Sequence, residues 1–228
     1  MRIKLSVAFI VTFLLLQIVM LELLEMVHII TGYLICGCWG VLDFNSWQLC
    51  NECNVNHPLY WMATLAGPVF SIVIMWLRMI LLSSINGNRR IMGFLLIFSS
   101  IPLGRISEAM QGAGDEMVVS RHLLQQDFSR TEMILITTIL LFSLMVPPLI
   151  KAARLLTNKR PWLYLLGFLT LPLIFILLYI LVGMSLVLNT GFLSTPWIMG
   201  TPLLITIHTL LAIFLLWLFR KNLYAFYG

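Results

Sequence analysis

Residues 5–35 read LSVAFIVTFLLLQIVMLELLEMVHIITGYLI. At ~1.5 Å per residue this run is long enough to cross a hydrocarbon core of about 30 Å as one helix. It carries Glu22, Glu25 and His28 inside it. Ionisable side chains are expensive in a spanning segment. They face a protein interior or a wet cavity, and they mark functional sites by default. At ~100° per residue, positions 22, 25 and 28 fall within about 120° of arc on one helix face. Two carboxylates and an imidazole are therefore predicted to look toward one side of the first helix.

The rest of the chain agrees with a membrane reading. Of 228 residues, 61% are hydrophobic and 10% charged, and the mean hydropathy is +1.00. That composition implies an all-α integral membrane protein in contact with the lipid bilayer. The formal charge is +5. No stretch interleaves basic and aromatic residues as a nucleic-acid groove does, so nucleic acid is excluded as a partner. The N-terminal run has the charged start of a signal sequence but no small-x-small cleavage site, and it reads as an uncleaved first span. Without repeats or linkers, residues 1–228 read as a single polytopic domain.

Apolar runs fall at about 5–35, 58–83, 91–104, 131–153, 161–188 and 197–219, which predicts six transmembrane helices. The third is short and broken by Pro102 and Gly104. Arg2 and Lys4 precede the first span, and Arg89 and Arg90 separate the second from the third. Lys151, Arg154, Lys159 and Arg160 separate the fourth from the fifth, and Arg220 and Lys221 follow the sixth. The 9 acidic residues all lie elsewhere. The positive-inside rule then puts both termini in the cytoplasm and segments 36–57, 105–130 and 189–196 outside it, in a cell (plasma or inner) membrane.

Helix rise from Lys4 sets Glu22 and Glu25 roughly 27–32 Å up, and from Arg90 sets Arg105 roughly 22 Å up. Tilt of the long first helix levels these groups. The broken third span is thus expected to bring Arg105, Glu108, Asp115 and Glu116 to the acidic face of the first helix, with Arg121 and His122 nearby. Irregular backbone at that depth is tolerated where it lines a cavity, so a polar pocket in the outer leaflet is predicted. A plainer alternative is a structural ion pair between Glu22 or Glu25 and Arg105 or Arg121.

Three short stretches add a resemblance. Leu24-Glu25-Met26-Val27-His28 matches all but the first histidine of H-E-x-x-H, in which two histidines share a metal and the glutamate activates water. Leu65-Ala66-Gly67-Pro68 and the broken IPLGRISEAMQGAGDE follow in order. Over residues 15–120 the chain resembles site-2-protease-like intramembrane zinc metalloproteases. It departs from them at Leu24, where a histidine belongs, and after Pro102, where an Asp-Gly belongs. The resemblance implies a core of three spans in residues 1–130, with three further spans in 131–228. It implies Glu25 as the catalytic position and His28, Asp115 and, as a substitute, Glu22 as ligands to zinc. With only part of the ligand set present, the expectation is a degenerate, non-proteolytic relative that binds a metal, a peptide segment or another membrane protein. Glu25-x-x-His28 is also the spacing of di-iron carboxylate bundles, but no second such motif exists in the chain.

Cys36, Cys38, Cys50 and Cys53 lie together between the first and second spans. Two disulfides joining the C-x-C to the C-x-x-C are expected on the oxidising side, under a lid of Trp39, Phe44 and Trp47. An all-thiolate structural zinc site and a membrane thiol–disulfide oxidoreductase are the alternatives. A structural subunit of a membrane complex is the third functional class.

Overall fold

In the computed structural model, which describes residues 1–44, 46–53, 57–224 and 226–227, six helices are long and apolar enough to cross a membrane. Five lie where the apolar runs predict them. After the short strand β1 (Arg2–Ile3), α1 spans Val7–Cys36. The Ser6 side chain caps it by accepting from the Phe9 amide, and Gly37 ends it in the left-handed conformation (φ 73°). At ~1.5 Å per residue it is about 45 Å long, more than the ~30 Å hydrocarbon core requires. A hairpin of β2 (Val41–Leu42) and β3 (Trp47–Gln48) leads to α2 (Tyr60–Leu81).

The third span is the central one, with 72% of its apolar window buried against 17% for the last. It differs in detail from the sequence reading. Helix α3 (Gly87–Ser99) stops and α4 (Pro102–Met110) resumes almost at once, so Arg105 and Glu108 lie on a helix and not in a connection. Ile101 sits between them with φ 51°, a left-handed geometry that a β-branched residue rarely adopts. The break frees the Ser99 carbonyl, which a continuous helix would satisfy from residue 103. Gln17 of α1, fully buried, donates its Nε2 to that oxygen at 3.2 Å. A non-helical joint at membrane depth is thereby closed by a side chain of the neighbouring helix.

Beyond α4, a turn with positive φ at Gly112 and Gly114 enters α5 (Asp115–Leu124). Then come α6 (Arg130–Arg154), opened by a Ser129–Glu132 capping box, and α7 (Pro161–Phe175). The fifth span continues through π-helical turns at Ile176–Met184 into α8 (Ser185–Asn189). Strands β4 (Pro196–Ile198) and β5 (Thr201–Pro202) precede α9 (Leu203–Phe219), and Arg220–Tyr224 winds as a 3-10 turn. Strand β6 (Phe226–Tyr227) pairs with β1.

Helix α1 packs against α2 and α9, and α2 against α3 and α5. Phe168 anchors the largest aromatic cluster, meeting Phe94 at 5.0 Å and Phe13 at 5.3 Å, both edge-on. Lipid is as apolar as these rings, so such packing works through close contact and not through expulsion of water. Large apolar side chains on α6, α7 and α9, such as Leu140, Leu166 and Leu210, point outward as bilayer contact requires.

The cysteine loop is closed by Cys36–Cys53 and Cys38–Cys50. This is the expected pairing between the two motifs, and it uses the thiols that an all-thiolate zinc site would need. Residues 45 and 54–56 of the loop lie outside the described residues. Peptide mapping under non-reducing conditions is expected to recover both links. Because they close loops with separations of 17 and 12 residues, a Cys36→Ser/Cys53→Ser protein should lose about 3 kcal/mol of stability in thermal denaturation.

Candidate functional site

His28 is completely buried and has three neighbours that fix it. Its Nδ1 lies 2.7 Å from the Ala63 carbonyl of α2. A carbonyl only accepts, so Nδ1 carries the hydrogen and Nε2 is left for other partners. Nε2 lies 3.2 Å from Asp115 Oδ2, at the first residue of α5. Trp47, from β3 of the disulfide-closed loop, stacks on the ring at 4.7 Å and 11°. A bare lone pair facing a carboxylate oxygen would be repulsive, so this pair needs one proton shared between the ring and the carboxyl.

Gly67 explains why the Ala66-Gly67-Pro68 stretch sits in α2. A Cβ at Gly67 would come within 2.0 Å of His28 Nε2. Only glycine lets the imidazole lie flush against this helix. Pro68 is tolerated in the helix interior and is itself buried.

Glu25, one turn below, is 7% exposed and borders a cavity of about 550 Å³. Arg105, Glu108, Gly114 and Asp115 line the same cavity, as does Leu24. The opposite wall is apolar, from Leu173, Ile176, Leu177 and Leu181. Arg105 Nη1 donates to Glu116 Oε1 at 2.6 Å, with both side chains buried. The alternative pairing of Arg105 with Glu22 or Glu25 is thus replaced by one with the residue next to Asp115. Glu108 Oε2 and Glu116 Oε2 flank Gly114, 3.0 and 3.3 Å from where its Cβ would stand. Glu25, Glu108 and Asp115 line the cavity against one guanidinium that is already paired, so carboxyl groups outnumber basic groups in its lining.

Glu22 parts company with the other two. It lines a separate cavity of about 260 Å³ between α1 and α9, with Thr201, Thr206 and Thr209. Its Oε1 has no partner. The trio is buried as the arc predicts, but its ~120° width exceeds one neighbour's reach. Glu22 turns to α9, Glu25 to α4 and α5, and His28 to α2.

Arg121 and His122 were expected at the pocket but are engaged elsewhere. Arg121 Nη2 donates to the Gly112 carbonyl at 2.8 Å, bracing the turn before Asp115. His122 Nδ1 lies 3.3 Å from the Tyr60 hydroxyl, and its ring stacks on Trp61. His208 meets the Tyr179 hydroxyl at 3.2 Å, as a helix-to-helix hydrogen bond. The lid residues divide. Trp47 covers His28, Phe44 packs edge-on to His208 at 5.3 Å, and Trp39 stacks on Tyr33 at 4.1 Å. Sequence reading did not find the Ala63 carbonyl or Gln17, since neither carries a motif.

Among the described residues, no three His, Cys, Asp or Glu side chains converge to hold a metal ion. His28 and Asp115 meet as a pair, Leu24 takes the place of a first histidine, and Glu22 faces the other cavity. A catalytic zinc takes three protein ligands. This donor set does not fit one.

Comparison with known proteins finds no matching family model, no matching curated protein and no matching solved structure.

Gly67→Ala is expected to destabilise the protein by about 1–3 kcal/mol through overpacking against His28. In a His28→Ala background the same change should cost far less, because the clash is gone. Thermal unfolding of the four proteins of this cycle measures the coupling. Equal costs in both backgrounds would refute the Gly67–His28 contact.

Proposed function

We propose that this chain is a site-2-protease-like membrane protein that binds a membrane-embedded segment without cleaving it. The observation that supports this reading is the two-sided cavity beside α1. One wall holds Glu25, Glu108 and Asp115, and the other is apolar. A transmembrane segment carrying a basic or strongly hydrogen-bonding group fits such walls. Its apolar flank meets Leu177 and Leu181, and its polar group meets the acids. Buried charges in a membrane are tolerated when they meet a counter-charge, which makes an acidic intramembrane cavity selective for a cation.

The residues have separate roles in this proposal. Glu25 and Asp115 attract the cationic group. Arg105, held by Glu116, keeps the local excess of negative charge from splaying α4 from α5. Ala63, Gly67 and Trp47 hold the His28 ring against Asp115. Leu24 leaves the would-be metal position apolar. The positive-inside rule places the cavity in the outer leaflet, with both termini cytoplasmic. The disulfides then fall on the oxidising side. Cys50 and Cys53 are each bound to a different partner and not to each other, so the loop serves as a crosslinked roof rather than a C-x-x-C redox couple.

A photo-crosslinking residue in place of Leu181 should give a discrete adduct with a membrane protein in native membranes. The adduct should weaken at least about tenfold in Glu25→Gln/Asp115→Asn, the equivalent of losing one or two charge-assisted contacts. Purified protein should hold less than one zinc per chain by elemental analysis, unchanged in His28→Ala. Stoichiometric zinc that is lost in His28→Ala, together with Glu25-dependent cleavage of a membrane substrate, would replace binding with proteolysis.

A further inference from the structure

The opposite end of α1 carries a second cleft, of about 650 Å³, into which Arg2, Lys4, Lys159 and Arg160 face. Among the described residues, no acidic side chain lines it. Its basic groups come from two distant parts of the chain, which are tied together by a buried connector. Asn158 is 8% exposed; the Ile3 amide donates to its Oδ1 at 3.0 Å, and its Nδ2 donates to the Ile3 carbonyl at 2.9 Å. The Thr157 amide donates to the Met1 carbonyl at 3.1 Å, and the Met1 amine to the Leu155 carbonyl at 2.6 Å. A topology signal needs only basic residues near helix ends. Arg89 and Lys221 supply that signal elsewhere, outside this cleft. Four cations fixed around one cleft are a more specific arrangement.

The cleft is continuous with an apolar groove. Leu5, Leu163 and Tyr164 line both. The groove, about 310 Å³, runs between α1 and α7 as far as Phe13 and Ile174. From Leu163 to Ile174 the helix rises about 16 Å. Gly167 lies on its wall, and a Cβ there would meet nothing within 4 Å. A basic head site above an apolar slot matches an amphiphile with an anionic head.

We propose that cleft and groove together form a site for an anionic phospholipid. Its phosphate sits among Arg2, Lys159 and Arg160, and an acyl chain lies between α1 and α7. Arginine forks and lysine ammonium groups donate to phosphate oxygens. A zwitterionic head would bring its own cation in among Arg2, Lys159 and Arg160, so phosphatidylglycerol is preferred over phosphatidylcholine. The site is independent of the acidic cavity, and neither reading rests on the other.

Full-length protein is reconstituted in nanodiscs of phosphatidylcholine and phosphatidylglycerol in equal parts, and retained lipid is counted by native mass spectrometry. Wild type is expected to keep phosphatidylglycerol in preference to phosphatidylcholine. Each basic residue near an anionic surface is worth about fivefold in binding. Lys159→Gln/Arg160→Gln should therefore lower retention about 30-fold, while Arg89→Gln/Lys221→Gln, which removes the same charge, should not. Gly167→Phe should lower retention by filling the groove while thermal stability stays at the wild-type level. Equal loss in both charge variants would reduce the effect to bulk attraction and overturn the site. So would equal retention of both lipids, or unchanged retention in Gly167→Phe. Thermal stabilisation by glycerol phosphate as large as that by phosphatidylglycerol would make the ligand a soluble phosphate and overturn the lipid assignment.

Discussion

The contact on which the surroundings of α1's C-terminal half depend is a buried imidazole set between α2 and the start of α5. His28 gives its Nδ1 hydrogen to the Ala63 carbonyl and points Nε2 at Asp115. One ring thereby ties α1 to α2 and to the start of α5. Removing it would open a cavity where a fully buried side chain now packs between α1, α2 and Trp47. Several neighbouring features can be understood as accommodations to that ring. Gly67 makes room for it, Trp47 covers it, and two disulfides hold the hairpin that carries Trp47. The positive φ at Gly112 and Gly114 turns the chain so that Asp115 arrives at the right place.

The broken span supplies the second constraint. Pro102 cannot donate to a preceding carbonyl, so the chain must either kink or stop. It stops, turns through Ile101 and restarts as α4. Helix α4 carries Arg105 and Glu108 at the cavity. Ser99 and Ser100 return their hydroxyls to Leu95 and Leu96 carbonyls, and Gln17 takes the Ser99 carbonyl. A polar residue in the middle of α1, unremarkable by composition, is thus the partner that makes the break affordable.

Much of this arrangement is legible in the sequence, for identifiable reasons. Six spans follow from run length, and the break follows from Pro102. That two disulfides join the C-x-C to the C-x-x-C follows from four thiols in one short loop, but which cysteine meets which does not. The burial of Glu22, Glu25 and His28 follows from the cost of charge in lipid. What the sequence does not carry is which neighbour meets which side chain. An arc of ~120° on a helix can address one neighbour or three, and only the packing of α2, α4, α5 and α9 around α1 decides. Arg105 pairing with Glu116 is hidden for the same reason, since α5 packs on α2 and α6 and only the turn at 111–114 brings Glu116 back to Arg105. The π-helical turns in the fifth span leave no compositional mark at all.

The two ends of α1 finish with opposite polarity, and the asymmetry bears on function. At one end three carboxylates outnumber an engaged arginine around a cavity with one apolar wall. At the other, four basic residues, and no acid among the described residues, line a cleft that opens onto an apolar groove. Each end combines fixed charge with an adjoining apolar surface, which is what an amphiphilic or membrane-embedded ligand requires and a small soluble ion does not. A bundle held only for structural reasons would gain from closing these charges on each other within the protein. Here the positive set lies beside residues 2–5 and the negative set beside Glu25, about 30 Å apart along the helix, too far for them to neutralise each other. Each set thus lies beside its own apolar wall, an arrangement that suits ligands of the bilayer.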